Sequence, residues 1–265
     1  MSDPSLAVAV RAARNAAAVI SDAAQDLKRL PAFSKEHGDI ASTADAEAGN
    51  AIVTTLLAAF PDHAVVGEER GGARRGNPDS TWCWIVDPID GTANFVHGYP
   101  YYAISIALAH GPDLTHAVVL DPVRDELFTA SKARGAQLNG VALRVSACSK
   151  LEHALLGTVF PTRKSPKLEA YLPIFHALIG RGAGIRRAGA CALDLAYVAA
   201  GRLDGLWVMS LKSWDVAAGA LLVREAGGRV GDFAGGADFL RSNEVIAATP
   251  GIFNALREAI GAATS

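Results

Sequence analysis

A layered α/β architecture is predicted by three features of the 265-residue sequence. They are an opening stretch with helical apolar spacing, a middle of short strand-like runs, and a second half in which strand and helix patterns alternate. Val10, Ala13, Ala17, Ile20, Ala24 and Leu27 recur every three or four residues, on one face of a helix that ends before Pro31 and packs on a sheet. Residues 31–42 (PAFSKEHGDIAS) carry Pro, Gly and several charges without a period and read as a loop. A second helix is expected over 43–60, with Asp45 in its first turn. AVV before Gly67-Glu68-Glu69 is strand-like, and glycines at 71, 72 and 76 with Pro78 mark a surface loop. TWCWIV then reads as a buried strand that stops at Asp87. Strand runs follow at 103–109, 116–120 and 126–130, and Asn139-Gly140 between GAQL and VALRV predicts a two-residue hairpin. The remainder reads LLGTVF as strand, 166–180 and 190–200 as helices, LDGLWVM as strand and 215–226 as helix, then GGRVGDF, VIAAT and a last helix from Pro250. With no repeat or Ser/Pro-rich linker, residues 1–265 read as a single unit. Its two sub-lobes, 1–150 and 151–265, should meet in a tightly packed boundary near 148–155.

Twenty-five basic residues against 27 acidic give a net charge of −2. That balance lacks the basic excess of a protein holding nucleic acid or anionic lipid mainly by charge, so no direct nucleic-acid partner is expected. Half the residues are hydrophobic, yet no stretch approaches the roughly 18 to 20 uninterrupted apolar residues of a membrane span. Cys83, Cys148 and Cys191 are far apart, with no CxxC pair, which fits reduced thiols in a cytoplasm. Arg11 and Arg14 interrupt any signal-peptide apolar run, so export by that route is not expected.

The most informative stretch is WIVDPIDGTANF, residues 84–95. Pro88 fixes the chain direction after Asp87, and Asp90, three residues on, returns its carboxylate toward the first in a turn or helical first turn. With the Ile89 carbonyl between them, these oxygens suit Mg²⁺, which prefers one or two carboxylates plus a substrate phosphate; zinc would want His or Cys. Gly91 lets the backbone approach a ligand, and N–H groups at Gly91 and Thr92 suit an anion such as phosphate. The same Asp, Pro and Gly also suit an ordinary turn. Glu68 after a strand, Asp215 at the start of a helix and Asp45 in a first turn each have a bland reading as a solvated acid or a helix cap.

Taken together, GEE at 67–69, WIVDPIDGTANFVHGYP at 84–100 and WDVAAGALLVREAGG at 214–228 resemble the inositol monophosphatase family. The likeness runs from STAD at 42–45 through LDLAYVAAGRLDG at 193–205. It implies an αβαβα sandwich similar to fructose-1,6-bisphosphatase, a homodimer, and Mg²⁺-dependent, Li⁺-sensitive hydrolysis of a small phosphate monoester by two or three ions. On that resemblance Glu68, Asp87 and the Ile89 carbonyl hold one metal, and Asp87, Asp90 and Asp215 a second. Glu68 reaches a third through water, with Lys35 nearby in a loop one residue shorter than in relatives. Thr92, hydrogen-bonded to Asp45, orients the attacking water, and the Gly91 and Thr92 N–H groups hold the phosphate. Ala190 and Cys191 fall where small residues line the substrate pocket, while core packing is the stronger reading of Cys191.

Val208 stands where inositol-specific relatives carry a Glu that bonds ring hydroxyls, and an aliphatic side chain accepts no such bond. Inositol 1-phosphate or a related polyol phosphate is the first expectation. Histidinol phosphate, fructose 1,6-bisphosphate, 3′-phosphoadenosine 5′-phosphate and NADP are rivals. A reading of another class, a regulatory partner of the transcription machinery independent of catalysis, follows from the same resemblance. His97 reads as a loop histidine or a substrate contact. Arg181, Arg186 and Arg187 read as solvated or as facing a substrate phosphate or a second copy.

Overall fold

In the computed structural model, which describes residues 3–29, 36–68, 72–161, 165–182 and 184–264, the chain opens with helices α1 (Pro4–Arg29) and α2 (Glu36–Ala59). Strands β1 (Ala64–Gly67), β2 (Arg75–Gly76) and β3 (Trp82–Asp90) lead to a short helix, α3 (Thr92–Val96). β4 (Ala103–His110), β5 (Asp113–Asp121), β6 (Glu126–Ser131), β7 (Gly135–Leu138) and β8 (Val141–Ala142) complete the first half. The second half runs β9 (Leu155–Thr158), α4 (Leu168–Ile179), β10 (Gly184–Arg186), α5 (Cys191–Ala199), β11 (Gly205–Met209), α6 (Ser213–Glu225), β12 (Arg229–Gly231), α7 (Phe239–Ser242), β13 (Glu244–Ala248) and α8 (Pro250–Thr264).

Among the described residues two sheets form, ordered β2-β1-β3-β4-β5-β6-β7-β8 and β10-β9-β11-β13-β12. In the first, β1 lies parallel to β3 and the rest is antiparallel; in the second, β9, β10 and β11 are parallel, β13 runs against them and β12, antiparallel to β13, runs with them. The period of two along each strand assigns the layers. Trp84 and Val86 face the α1–α2 core and Ile85 faces the other way. Leu206 and Val208 face α5 and α6, while Trp207 and Met209 face α4 and α8. The helices α5 and α6 therefore fill the space between the sheets, giving the predicted αβαβα sandwich.

Three local expectations are revised. The buried face of α1 is Ala9, Ala12, Ala13, Ala16, Ile20 and Leu27, with Val10, Ala17 and Ala24 on its half-buried flanks. α2 begins at Glu36, seven residues before the expected start, because Ala41, Ala44, Ala48, Ile52 and Leu56 continue one buried stripe through the presumed loop. β3 does not stop at Asp87 but runs to Asp90. The Asn139-Gly140 hairpin forms as expected, with Leu138 paired to Val141 and positive φ at both turn residues. Among the described residues no helix is long and apolar enough to cross a membrane.

Candidate active site

The parallel register Gly67↔Val86 carries Glu68 to the level of Asp87. Gly67 is required for that approach, since a Cβ there would overlap the Val86 carbonyl oxygen. On β3 a bulge brings the two aspartates together: Asp87 pairs with Ser105 and Asp90 with Ala103, so three steps on β3 match two on β4. Without the extra residue an odd spacing would put the two carboxylates on opposite faces; with it they share one. The expected helical turn is thus corrected to a bulged strand end. Pro88 suits the bulge because it has no N–H to offer the ladder, and the Ile89 N–H donates to Asp87 Oδ1 at 3.1 Å.

Asp215 comes from the first turn of α6, where its Oδ2 accepts the Lys212 N–H at 2.7 Å. The Ser105 hydroxyl donates to the Trp214 carbonyl at 3.2 Å and fixes that turn to β4. Ligand oxygens of Asp87, Asp90 and Asp215 all lie within 4.8 Å of one another. Asp87 and Asp90 are 1% and 8% exposed. Burial pushes the Asp87 pKa well up, reinforced by the charges of Asp90, Glu68, Asp215 and Asp45. Asp90 is pushed well up by burial and by Asp215, against the Ala192 N–H that it accepts at 2.6 Å. Asp215 is raised by burial, opposed by the Lys212 N–H, by a side-chain hydrogen bond with Asp87 and by the Lys212 charge. Glu68 is exposed on its outer flank, yet nearby protein atoms and Asp215 still raise it. A small open cleft between α2, β1, β2 and β3 is lined in part by Glu68 and Pro88.

This donor set fits a hard divalent cation. It is all oxygen, no Lys or Arg ion-pairs with the three aspartates among the described residues, and the Lys212 charge that acts on Asp215 leaves its pKa still raised. Gly91, at φ 93° and ψ 36°, caps α3 in the left-handed region, and Thr92 is the first helical residue. The Thr92 hydroxyl donates to the Ile89 carbonyl at 3.0 Å, while Asp45 lies near enough for its charge to act on Asp87. His97 is exposed at the end of α3, Arg181 and Arg186 are exposed, and Lys35 and Glu69 lie outside the described residues.

Ala190, Cys191 and Val208, expected at the substrate pocket, are buried side chains in the fold. Ala190 and Val208 are 0% exposed and Cys191 2%. Alternation along β11 turns Val208 into the middle layer, and the start of α5 packs beneath the Gly91 turn, with Ala190 Cβ 3.1 Å from where a Gly91 Cβ would stand. Sequence reasoning missed two supports. Asn94 donates to the Tyr101 and Ala188 carbonyls at 2.6 and 2.8 Å, and the Tyr101 hydroxyl donates to buried Asp194 at 2.6 Å. Their only signal was proximity to the motifs.

The Pseudomonas aeruginosa protein named Nus factor SuhB is 49% identical over 255 residues, 96% of this chain and 94% of that protein. The crystal structure of extragenic suppressor protein SuhB from Bartonella henselae superposes with a TM-score of 0.86 at 39% identity, covering 96% of this chain and 98% of that one. Inositol monophosphatase from Anabaena gives a TM-score of 0.85 at 33% identity, covering 97% and 95%. The name Nus factor overturns the first partner expectation, a small phosphate ester and a second copy of the chain with nucleic acid set aside. Net charge limits only attachment by bulk charge and says nothing of a specific protein surface. The model of the inositol monophosphatase family matches residues 1–263, and the chain belongs to that family.

Proposed function

We propose that the chain hydrolyses a small phosphate monoester, inositol 1-phosphate or a related polyol phosphate, with Mg²⁺ in the acidic cluster. The observation that carries this reading is the convergence of three carboxylates within 4.8 Å beside the left-handed Gly91 turn. Glu68, Asp87 and the Ile89 carbonyl would hold one ion, Asp87, Asp90 and Asp215 a second, and Glu68 would reach a third through water. Bound Mg²⁺ supplies charge to receive the phosphate, acidifies a water and stabilises the departing oxygen. The Ala192 N–H orients Asp90 and favours its ionised form against the burial that opposes it. The Gly91 and Thr92 N–H groups would bind the phosphate oxygens. Rotation of the Thr92 hydroxyl from Ile89 toward Asp45 would leave Oγ free to accept a proton of the attacking water and aim it in line.

Histidinol phosphate, fructose 1,6-bisphosphate, 3′-phosphoadenosine 5′-phosphate and NADP complete the candidate substrates. A phosphate-release panel over all five, with and without Mg²⁺, tests the reading. Release from at least one ester that needs Mg²⁺ and is inhibited by Li⁺ is expected, and release from none overturns it.

A second reading rests on the 49% identical relative named Nus factor SuhB: the chain also serves, through its surface, as a partner of the transcription machinery. Asp90→Asn separates the two. Loss of phosphate release with retained capture of the transcription complex is expected, and failure of wild type to bind that complex refutes the second reading. A cytoplasmic location accords with both readings and with three free cysteines.

A further inference from the structure

Residues 90–101 run from Asp90 through the Gly91 turn, and residues 188–194 open α5. Three hydrogen bonds join these segments. The Asn94 amide donates to the Ala188 carbonyl at 2.8 Å, the Ala192 N–H donates to Asp90 Oδ2 at 2.6 Å, and the Tyr101 hydroxyl donates to Asp194 Oδ1 at 2.6 Å. The Cys191 N–H acts on the same Asp90 carboxylate. Asp90 is therefore seated at the N-terminus of α5, where the first N–H groups of a helix are open to an anion. Tyr101 touches both segments. Its carbonyl accepts the Asn94 amide at 2.6 Å and stands 3.2 Å from where a Gly91 Cβ would be, while its hydroxyl reaches the first turn of α5. The ring is fixed edge-on to Tyr197 at 5.9 Å, with the central guanidinium carbon of Arg124 also 5.9 Å from its centroid.

Packing alone does not account for Asp194. It is fully buried beside Cys191, Ala192 and Leu193, and its Oδ2 has no hydrogen-bond partner among the described residues. A half-satisfied buried carboxyl lowers stability, so the bond to Tyr101 is the one thing it contributes. What that bond holds is α5, and α5 in turn seats α6. A Cβ on Gly219 of α6 would lie 2.4 Å from Leu195 Cβ, so the two helices approach too closely there for a side chain, one residue beyond Asp194. The first turn of α6 carries Asp215. A shift of α5 would thus move both the N–H groups on Asp90 and the helix that presents Asp215.

We propose that Tyr101 is a positioning residue for the metal cluster: through Asp194 it fixes the first turn of α5, and with it the placement of Asp90 against Asp215. It touches neither ion nor ester. The inference deepens the phosphatase reading above and rests on it for the Mg²⁺ that the cluster gathers. Its test therefore reads Mg²⁺ binding itself, which needs no turnover.

Calorimetric titration of the full chain with Mg²⁺ at pH 8 compares wild type, Tyr101→Phe, Asp194→Asn and Tyr171→Phe. Tyr101→Phe, which loses the hydroxyl and keeps the ring, should raise the Mg²⁺ Kd about tenfold, the lower end of what outer partners of a metal site contribute. Asp194→Asn keeps an oxygen for the hydroxyl and should stay near wild type. Tyr171→Phe loses an equivalent buried bond, to the Thr158 hydroxyl at 2.9 Å in the α4–α8 layer, and should melt lower with its Kd unchanged. An unchanged Kd in Tyr101→Phe, or the same rise in Asp194→Asn or Tyr171→Phe, overturns the inference. Should Tyr101→Phe fail to fold, Asp194→Ala decides. It is as neutral as Asp194→Asn but has no acceptor, so a Kd raised only in Asp194→Ala supports the inference and equal values overturn it. Mg²⁺ binding without phosphate release from any ester refutes the phosphatase reading alone, and no Mg²⁺ binding in wild type refutes both.

Discussion

Replacing Asp90 with Asn should stabilise the metal-free protein and destabilise the metal-loaded one. Unit charges 4.8 Å apart at an effective dielectric of about 20 repel by roughly 3 to 4 kcal/mol. Asp90 takes part in two of the three such pairs. Protonation relieves part of this, because burial and neighbouring charge raise all three pKa values, so a net gain of about 2 kcal/mol is expected at pH 8. Asn keeps an oxygen for the Ala192 N–H, although the second backbone bond, from Cys191, must then share that oxygen. For a chain of 265 residues that gain is worth about 4 °C in Tm. Mg²⁺ at 100 times its Kd should stabilise wild type by about 2.7 kcal/mol, or roughly 5 °C, and the variant by little. Scanning calorimetry at pH 8 in chelator and in Mg²⁺ should thus show the two melting curves exchange order. The sign with pH also follows. A folded cluster with raised pKa values holds protons that the unfolded chain has lost, so metal-free wild type weakens as pH climbs above about 4 and the variant's advantage shrinks toward pH 5. A variant that melts below wild type in chelator, or gains as much from Mg²⁺, would refute the reasoning.

Asp194 gives a second pH effect, independent of metal. Burial pushes its pKa up to about 7, opposed by the Tyr101 hydrogen bond and the Arg187 charge. Its stabilising proton is therefore lost as pH rises from the unfolded carboxylate value to about 7. Between pH 5 and 8 this should cost wild type about 2.5 kcal/mol that Asp194→Asn does not lose; urea melts at both values check it, and a constant difference would contradict it. Gly67→Ala should drive β1 off β3 at the Val86 carbonyl, lowering stability by about 2 kcal/mol and weakening Mg²⁺ affinity through displaced Glu68. Wild-type values of both would disprove the assigned register. Gly91→Ala forces a Cβ into the left-handed region at φ 93°, at a cost of about 1 to 2 kcal/mol; phosphate-release kinetics should show a higher KM for every ester hydrolysed, and an unaltered KM would remove Gly91 from the phosphate-binding role.

What was legible in the sequence was whatever local chemistry dictates. Asn139-Gly140 has only one comfortable turn to adopt, the strand and helix periods of the second half survive in the observed elements, and DPIDG announces oxygen ligands and a backbone turn together. The bulge was not legible. A helical turn and a bulged strand both bring residues three apart to one side, and only pairing with β4, through Ser105 and Ala103, selects the bulge. The start of α2 was hidden because Ala41 and Ala44 carry little apolar contrast although they are 2% exposed. The burial of Ala190, Cys191 and Val208 depends on the second sheet closing over α5, and the Tyr101–Asp194 bond spans 93 residues; neither leaves a local trace.

The energetics of the cluster also bear on the choice between a catalytic chain and one that works by its surface alone. Asp87 and Asp90 are buried with like charges as neighbours, Asp90 and Glu68 raising the Asp87 pKa and Asp215 that of Asp90, which lowers the stability of the bare fold at neutral pH. Asn or Ser at either position would relieve that strain without disturbing β3 or its hydrogen bonds to β4. A protein used only as a docking surface gains nothing from keeping both acids, whereas one that gathers divalent cations needs them ionised and close. The site that destabilises the empty fold is thus the argument for a loaded one, and a transcriptional role would be added to the phosphatase scaffold without replacing it.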